Sequence, residues 1–147
     1  MNTPVTMHFT IEEMYASETA KARGIDNKPS IQQIINLVYL CAYVLEPLRV
    51  AMERPIKISS GFRCQRLNAA VGGVYNSQHM KGQAADIDID GDLKFGRKVF
   101  DYIKNHLPFD QLIWEHSASG TYWVHVSFVF PDFGKNRKRA IDNLLKK

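Results

Sequence analysis

The chain has 147 residues, 45% hydrophobic and 23% charged, which is ordinary globular composition and enough length for one core without disulfides or a structural metal. Two cysteines exclude a disulfide framework, and the formal charge of +4 leaves the surface basic. The most apolar run, about residues 37–45, is interrupted by Tyr39 and Tyr43 and reads as too short for a membrane span.

The opening MNTPVTMHFTIEEM has neither a basic start nor an apolar h-region, so no signal peptide is expected and synthesis in the cytoplasm follows. Thr10 and Glu13 form a capping box at the head of a short helix, and Gly24 with IDNKP closes this segment. From Ser30 to about Glu53, Ile34, Leu37, Val38, Cys41, Val44, Leu45, Leu48 and Met52 recur at spacings of three and four. That pattern predicts one long helix with a core-facing stripe. Pro47 is expected to bend or split it. Cys41 lies on the stripe and reads as a buried thiol, Cys64 has no such context, and a bridge between them stays open. After Pro55, IKISSGF reads as a strand turning at Gly61, and RCQRLNAAV as a helix stopped by Gly72 and Gly73. The loop VYNSQ then delivers His79.

Three further strands are expected, and their alternation assigns faces. In AADIDID, Asp86, Asp88 and Asp90 share one face and Ala85, Ile87 and Ile89 the other. In YWVHVSFVF, Val124, Val126, Phe128 and Phe130 form an apolar face, so Trp123, His125 and Ser127 look away from it. QLIWE (111–115) is ambiguous, because Leu112 and Trp114 compete with Ile113 for the core; Glu115 enters the cleft if it shares the face of His125. Between strands, LKFGRKVFDYIKNHL is a helix with Val99, Phe100, Ile103 and Leu107 inward and Asp92 as N-cap. The basic tail, about residues 135–147, reads as a solvated terminal helix docking Ile141, Leu144 and Leu145. Such a tail also suits nucleic acid or an anionic surface, but no nucleic-acid reading motif accompanies it and no nucleic-acid partner is expected.

His79, Asp86 and His125 can give zinc three protein ligands and leave the fourth position for water, the arrangement of a catalytic site. Taken singly, they read as a loop histidine bonded to backbone, an edge carboxylate and a strand histidine facing water. The combination of ligand types and faces points to the metal. His8 and His106 read as surface residues.

SGFR, SQHMKGQAAD and WVHVS together resemble the zinc D-Ala-D-Ala carboxypeptidase superfamily, which includes cell-wall carboxypeptidases and phage endolysin peptidases and shares its fold with the Hedgehog signalling domain. The resemblance implies an α+β fold: a small antiparallel sheet, helices on one face and an open zinc cleft on the other. It places one Zn2+ on His79, Asp86 and His125 and the substrate-carboxylate arginine on Arg63; in the mechanism that follows, zinc holds the oxyanion together with Ser77 or a nearby backbone N–H. Some relatives carry a glutamate three residues before the last histidine, where this chain has Tyr122. Others place it at the end of the preceding strand, which maps to Glu115; Glu115 is therefore the expected base and His116 the second choice. The expected protein is a single-domain, monomeric zinc peptidase, residues 1–147, acting on peptidoglycan stem peptides at the bacterial cell wall, encoded by a phage or prophage. Carboxypeptidase and endopeptidase action both stay open. The alternative is a non-catalytic peptidoglycan-binding module of the same fold.

Overall fold

The computed structural model describes residues 2–131 and 134–143. The Thr10–Glu13 capping box forms, with Glu13 Oε1 accepting from the Thr10 N–H at 3.2 Å, but it heads only a 3-10 turn, Glu12–Met14. A separate helix follows, α1 (Glu18–Arg23), capped by the Ser17 hydroxyl and stopped by Gly24 in the left-handed region. The long helix is continuous in space. It runs as α2 (Ile31–Leu40), a π turn (Cys41–Leu45) and α3 (Glu46–Met52), and Ser30 and Gln33 box its start. Proline lacks an N–H and its ring crowds the carbonyl four residues back. The wide turn just before Pro47, where the Glu46 N–H reaches Cys41 O, absorbs this without a break.

The apolar stretch is longer than residues 37–45 suggest. By length and composition alone, Ile31–Met52, with mean hydropathy 1.5 over its apolar window, could cross a membrane. Leu37, Leu40, Cys41, Val44, Leu45 and Leu48 on its inner stripe are fully buried in the core, while Ile31, Ile35, Tyr43 and Val50 are exposed.

Five strands follow: β1 (Lys57–Ser60), β2 (Ala84–Asp88), β3 (Gln111–His116), β4 (Tyr122–Ser127) and β5 (Arg139–Asp142), in the order β1-β2-β4-β3-β5. The first four pair antiparallel, but β5 runs parallel to β3, so the sheet is mixed rather than antiparallel. Arg139–Asp142 of the tail accordingly form a strand, not a helix. Lys138 takes a left-handed turn (φ 53°), and the Lys138 and Arg139 N–H groups bond to Phe109 O and Asp110 O, which lays the chain along the open edge of β3. Arg97 then holds Asp142 through two hydrogen bonds of 2.7 and 3.0 Å. Leu144, Leu145, Lys146 and Lys147 lie outside the described residues.

Helix α4 (Gln65–Ala70) precedes the His79 turn, and α5 (Leu93–His106) packs behind the sheet. Asp92 caps α5, accepting from the Phe95 N–H at 3.0 Å. Ala85, Ile87, Leu112, Trp114, Val124 and Val126 bury one sheet face against Phe95, Val99, Phe100 and Ile103 of α5 and the stripe of α2 and α3. This resolves the β3 pattern: Leu112 and Trp114 are core, and Ile113 faces away. Gly96 lets α5 approach this closely, because a Cβ there would stand 2.4 Å from the Trp114 ring and 2.6 Å from Ile89.

Candidate metal centre and its cleft

Asp86 and His125 are register partners in β2 and β4, so the pleat points both away from the core. His125 Nδ1 lies 2.9 Å from Asp86 Oδ1. His79 comes to them from a 3-10 turn (Gln78–Lys81) whose N-cap is Ser77, the hydroxyl accepting from the His79 N–H at 3.1 Å. Helix α2 pins that turn, Gln33 donating to Met80 O at 3.2 Å and Asn36 to Lys81 O at 2.8 Å. The Arg63 N–H donates to His79 O at 3.0 Å.

A carbonyl can only accept, so the 2.6 Å contact between His79 Nδ1 and Gly61 O places the proton on Nδ1. With the ring in its neutral form the lone pair is on Nε2, which faces Asp86 Oδ1 at 3.4 Å. Two acceptors face each other there, and a cation between them removes the repulsion. Around tetrahedral zinc, with bonds of about 2.0–2.2 Å, ligand atoms stand roughly 3.3–3.6 Å apart. One ligand atom from each of His79, Asp86 and His125 lies within 4.8 Å of the others, so the group could hold one metal ion. The backbone carbonyl behind His79 is the outer support that ligating histidines use. Burial would raise the Asp86 carboxyl, but when protons on the rings take the place of the cation, hydrogen bonds and charge from His125 and His79 outweigh burial and hold Asp86 well below the usual carboxylate range.

The Gly61 carbonyl is itself held. A Cβ at Gly61 would meet Met14 O at 2.1 Å, so only glycine fits. Asn27, 7% exposed, braces the same loop: its amide donates to Tyr15 O at 2.8 Å and Phe62 O at 3.0 Å, and its oxygen accepts from the Cys64 N–H at 2.7 Å.

The three residues open onto a cleft of about 780 Å³ that Arg63, Ile113, Glu115, Trp123 and Arg137 also line. Arg63 is half-buried, and its Nε has no hydrogen-bond partner among the described residues. Burial pushes its pKa down, with the Asp86 charge opposing. Glu115 pairs across the sheet with Trp123 and shares the cleft face of His125. His116 and Tyr122 pair with each other one step out of phase, 5.4 Å between ring centres, and line no part of this cleft. Ser77 is in the cleft wall.

The profile of the family described as Peptidase M15 matches residues 7–127. The chain belongs to that family. The M15 match bears out the resemblance read from SGFR, SQHMKGQAAD and WVHVS. A 44-residue stretch, 29% of this M15 chain, is 48% identical to the zinc D-Ala-D-Ala carboxypeptidase of Streptomyces albus G and spans 17% of that protein's length.

Other positions differ from expectation or were not foreseen. Both cysteines are free. Cys41 is buried, which with the charges of Glu13 and Glu46 pushes its thiol up to about 12, and Cys64 Sγ caps α4 by accepting from the Leu67 N–H at 3.4 Å. His8 is exposed as expected, and its ring meets Glu46 at 2.5 Å. Asn27 carried no sequence signal, because its partners are backbone groups. Arg137 reads in the sequence only as one charge of the basic tail, whereas it lines the cleft.

Proposed function

We propose that the chain is a zinc-dependent peptidase that hydrolyses a peptide bond in peptidoglycan stem peptides, as a D-Ala-D-Ala carboxypeptidase or an endopeptidase, with the bacterial cell wall as its place of action. M15 membership, the partial likeness to a zinc D-Ala-D-Ala carboxypeptidase and the donor set support this reading. The observation that carries it is the His79 ring, with Nδ1–H committed to Gly61 O and Nε2 facing Asp86 across 3.4 Å.

Zinc held by His79 Nε2, Asp86 and His125 Nδ1 would supply an acidified water and polarise the scissile carbonyl. Glu115, on the same cleft face, takes the water proton and passes it to the leaving amine. The Arg63 guanidinium grips a substrate carboxylate through parallel hydrogen bonds and sets the peptide's register. Ser77 uses its oxygen to cap the His79 turn and keeps its hydroxyl hydrogen to donate toward the charge developing on the carbonyl oxygen.

Incubation with defined muropeptides, with and without a chelator, and mass analysis of the products tests the reading. Cleavage lost on chelation and restored by zinc is expected, and the product masses identify the bond. Glu115→Gln should keep its zinc and lose about 10²–10⁴ in turnover. Intact peptides beside fully zinc-loaded protein overturn the proposal; if they bind, the chain is instead a peptidoglycan-binding module.

A further inference from the structure

Arg137 lies beyond the residues the M15 profile matches, in the segment leading into β5, yet it lines the same cleft as His79, Asp86 and His125. Its anchor is Asp110, 3% exposed. A buried carboxylate must have its lone pairs met. Asp110 Oδ1 accepts from the Arg137 N–H at 2.9 Å and from Nε at 2.8 Å. Oδ2 accepts from Arg137 Nη2 at 3.0 Å and from Gln78 Nε2 at 3.0 Å. Gln78 is the neighbour of His79, so one buried acid ties the metal-side turn to this arginine.

A guanidinium carries five N–H donors in a fixed fork. Asp110 takes two, which leaves three on the Nη1 and Nη2 side with no hydrogen bond among the described residues. The side chain is 55% exposed. The free edge is a planar double donor, the shape that matches a carboxylate through two parallel bonds. Because Asp110 already fixes the side chain, a ligand binding there loses little further rotamer freedom. Arg63 differs: it is half-buried, and its Nε has no hydrogen-bond partner among the described residues.

We propose that Arg137 is a second carboxylate-binding residue of the cleft, so that the substrate is a peptide with two anionic groups, one for Arg63 and one for Arg137. This rests on the peptidase reading above. Asp110 and Gln78 are positioning residues that aim the fork and do not touch the peptide.

The test uses a set of synthetic stem peptides that differ only in which carboxylate is amidated, with kcat and KM measured for the wild type, Arg137→Gln and Arg137→Lys. On the fully ionised peptide, Arg137→Gln should raise KM roughly 10–100-fold and leave kcat within about two-fold, the loss of a charged bidentate contact. On one of the singly amidated peptides the wild type should be weakened by the same factor and Arg137→Gln should add nothing. Equal losses on every peptide, or a fall in kcat alone, would overturn the proposal and leave Arg137 as the structural partner of Asp110. Should Arg137→Gln fold poorly in thermal melting, Arg137→Lys decides, since it keeps the charge beside Asp110 but not the fork. A raised KM on the fully ionised peptide alone supports the proposal, and wild-type KM on all peptides overturns it. Calorimetric titration of the same peptides into zinc-free protein separates this inference from the peptidase reading. A wild type that cleaves none of the peptides refutes the peptidase reading, whereas binding independent of amidation refutes the role of Arg137.

Discussion

Replacing Asn27 by alanine strikes the loop behind the metal centre without touching a proposed ligand. Asn27 makes three hydrogen bonds, to Tyr15 O, Phe62 O and the Cys64 N–H, at 2.7–3.0 Å. A typical intramolecular hydrogen bond contributes about 1 kcal/mol net, and a buried group left unpaired costs about 1–3 kcal/mol. The bond to Phe62 O is buried and the other two are partly buried, so one group stays unpaired while two regain some water. The expected loss is therefore about 3–4 kcal/mol, read as a lower urea midpoint at unchanged slope. For a domain of this size that is roughly 6–16 °C in Tm. Zinc affinity, measured by chelator competition, should fall roughly 10–100-fold, because Gly61 O sits in the braced loop and orients His79. A loss below about 1 kcal/mol with unchanged zinc affinity would show that the loop holds its shape without Asn27, and the account of how His79 is aimed would fail.

Gly96→Ala should destabilise by about 1–3 kcal/mol despite alanine's better helix propensity, since the new methyl would enter the Trp114 ring and Ile89; thermal melting gives the sign. Saturating zinc at 100 times its dissociation constant should raise stability by about 2.7 kcal/mol over chelator-treated protein, and His79→Ala should abolish the difference in a denaturant titration. Burial works against the Asp110 carboxyl, but Arg137 and Gln78 hold it below its ordinary range. A folded-state pKa below the unfolded value of about 3.9 means that this contribution is complete above that pH and is lost as pH falls through the folded pKa. In metal-free protein, Asp110→Asn should accordingly flatten the acid limb of stability below about pH 4; an unchanged limb contradicts the assignment.

The strand alternation of AADIDID and YWVHVSF carried real information, because one buried face fixes register and register alone sets Asp86 opposite His125. Three and four spacing found the long helix, and Pro47 marked its irregularity, although the form this takes, a π turn, depends on how the neighbouring stripe packs. Helix α1 was not separated from the turn headed by Thr10 and Glu13, because it is only six residues long and buries only Ala20 among its described residues. QLIWE stayed ambiguous because Ile113 is an apolar residue on the cleft face. The tail misled for a physical reason. Its charges resemble a solvated helix, while its conformation is decided by a buried acid far away in sequence, Asp110, and by the open edge of β3. Polar residues that brace backbone, such as Asn27, leave no periodic trace at all.

The two outermost strands have a consequence for behaviour at high concentration. Each is four residues long; β1 carries an irregularity between Ile58 and Ser60 and the ammonium of Lys57, and β5 begins at Arg139, just after the left-handed Lys138. Short, kinked and cationic rims offer a poor template for a neighbouring molecule's backbone. Crowded preparations should therefore resist strand-to-strand clumping, and stripping away the final parallel strand would bare the flank of β3 and invite it.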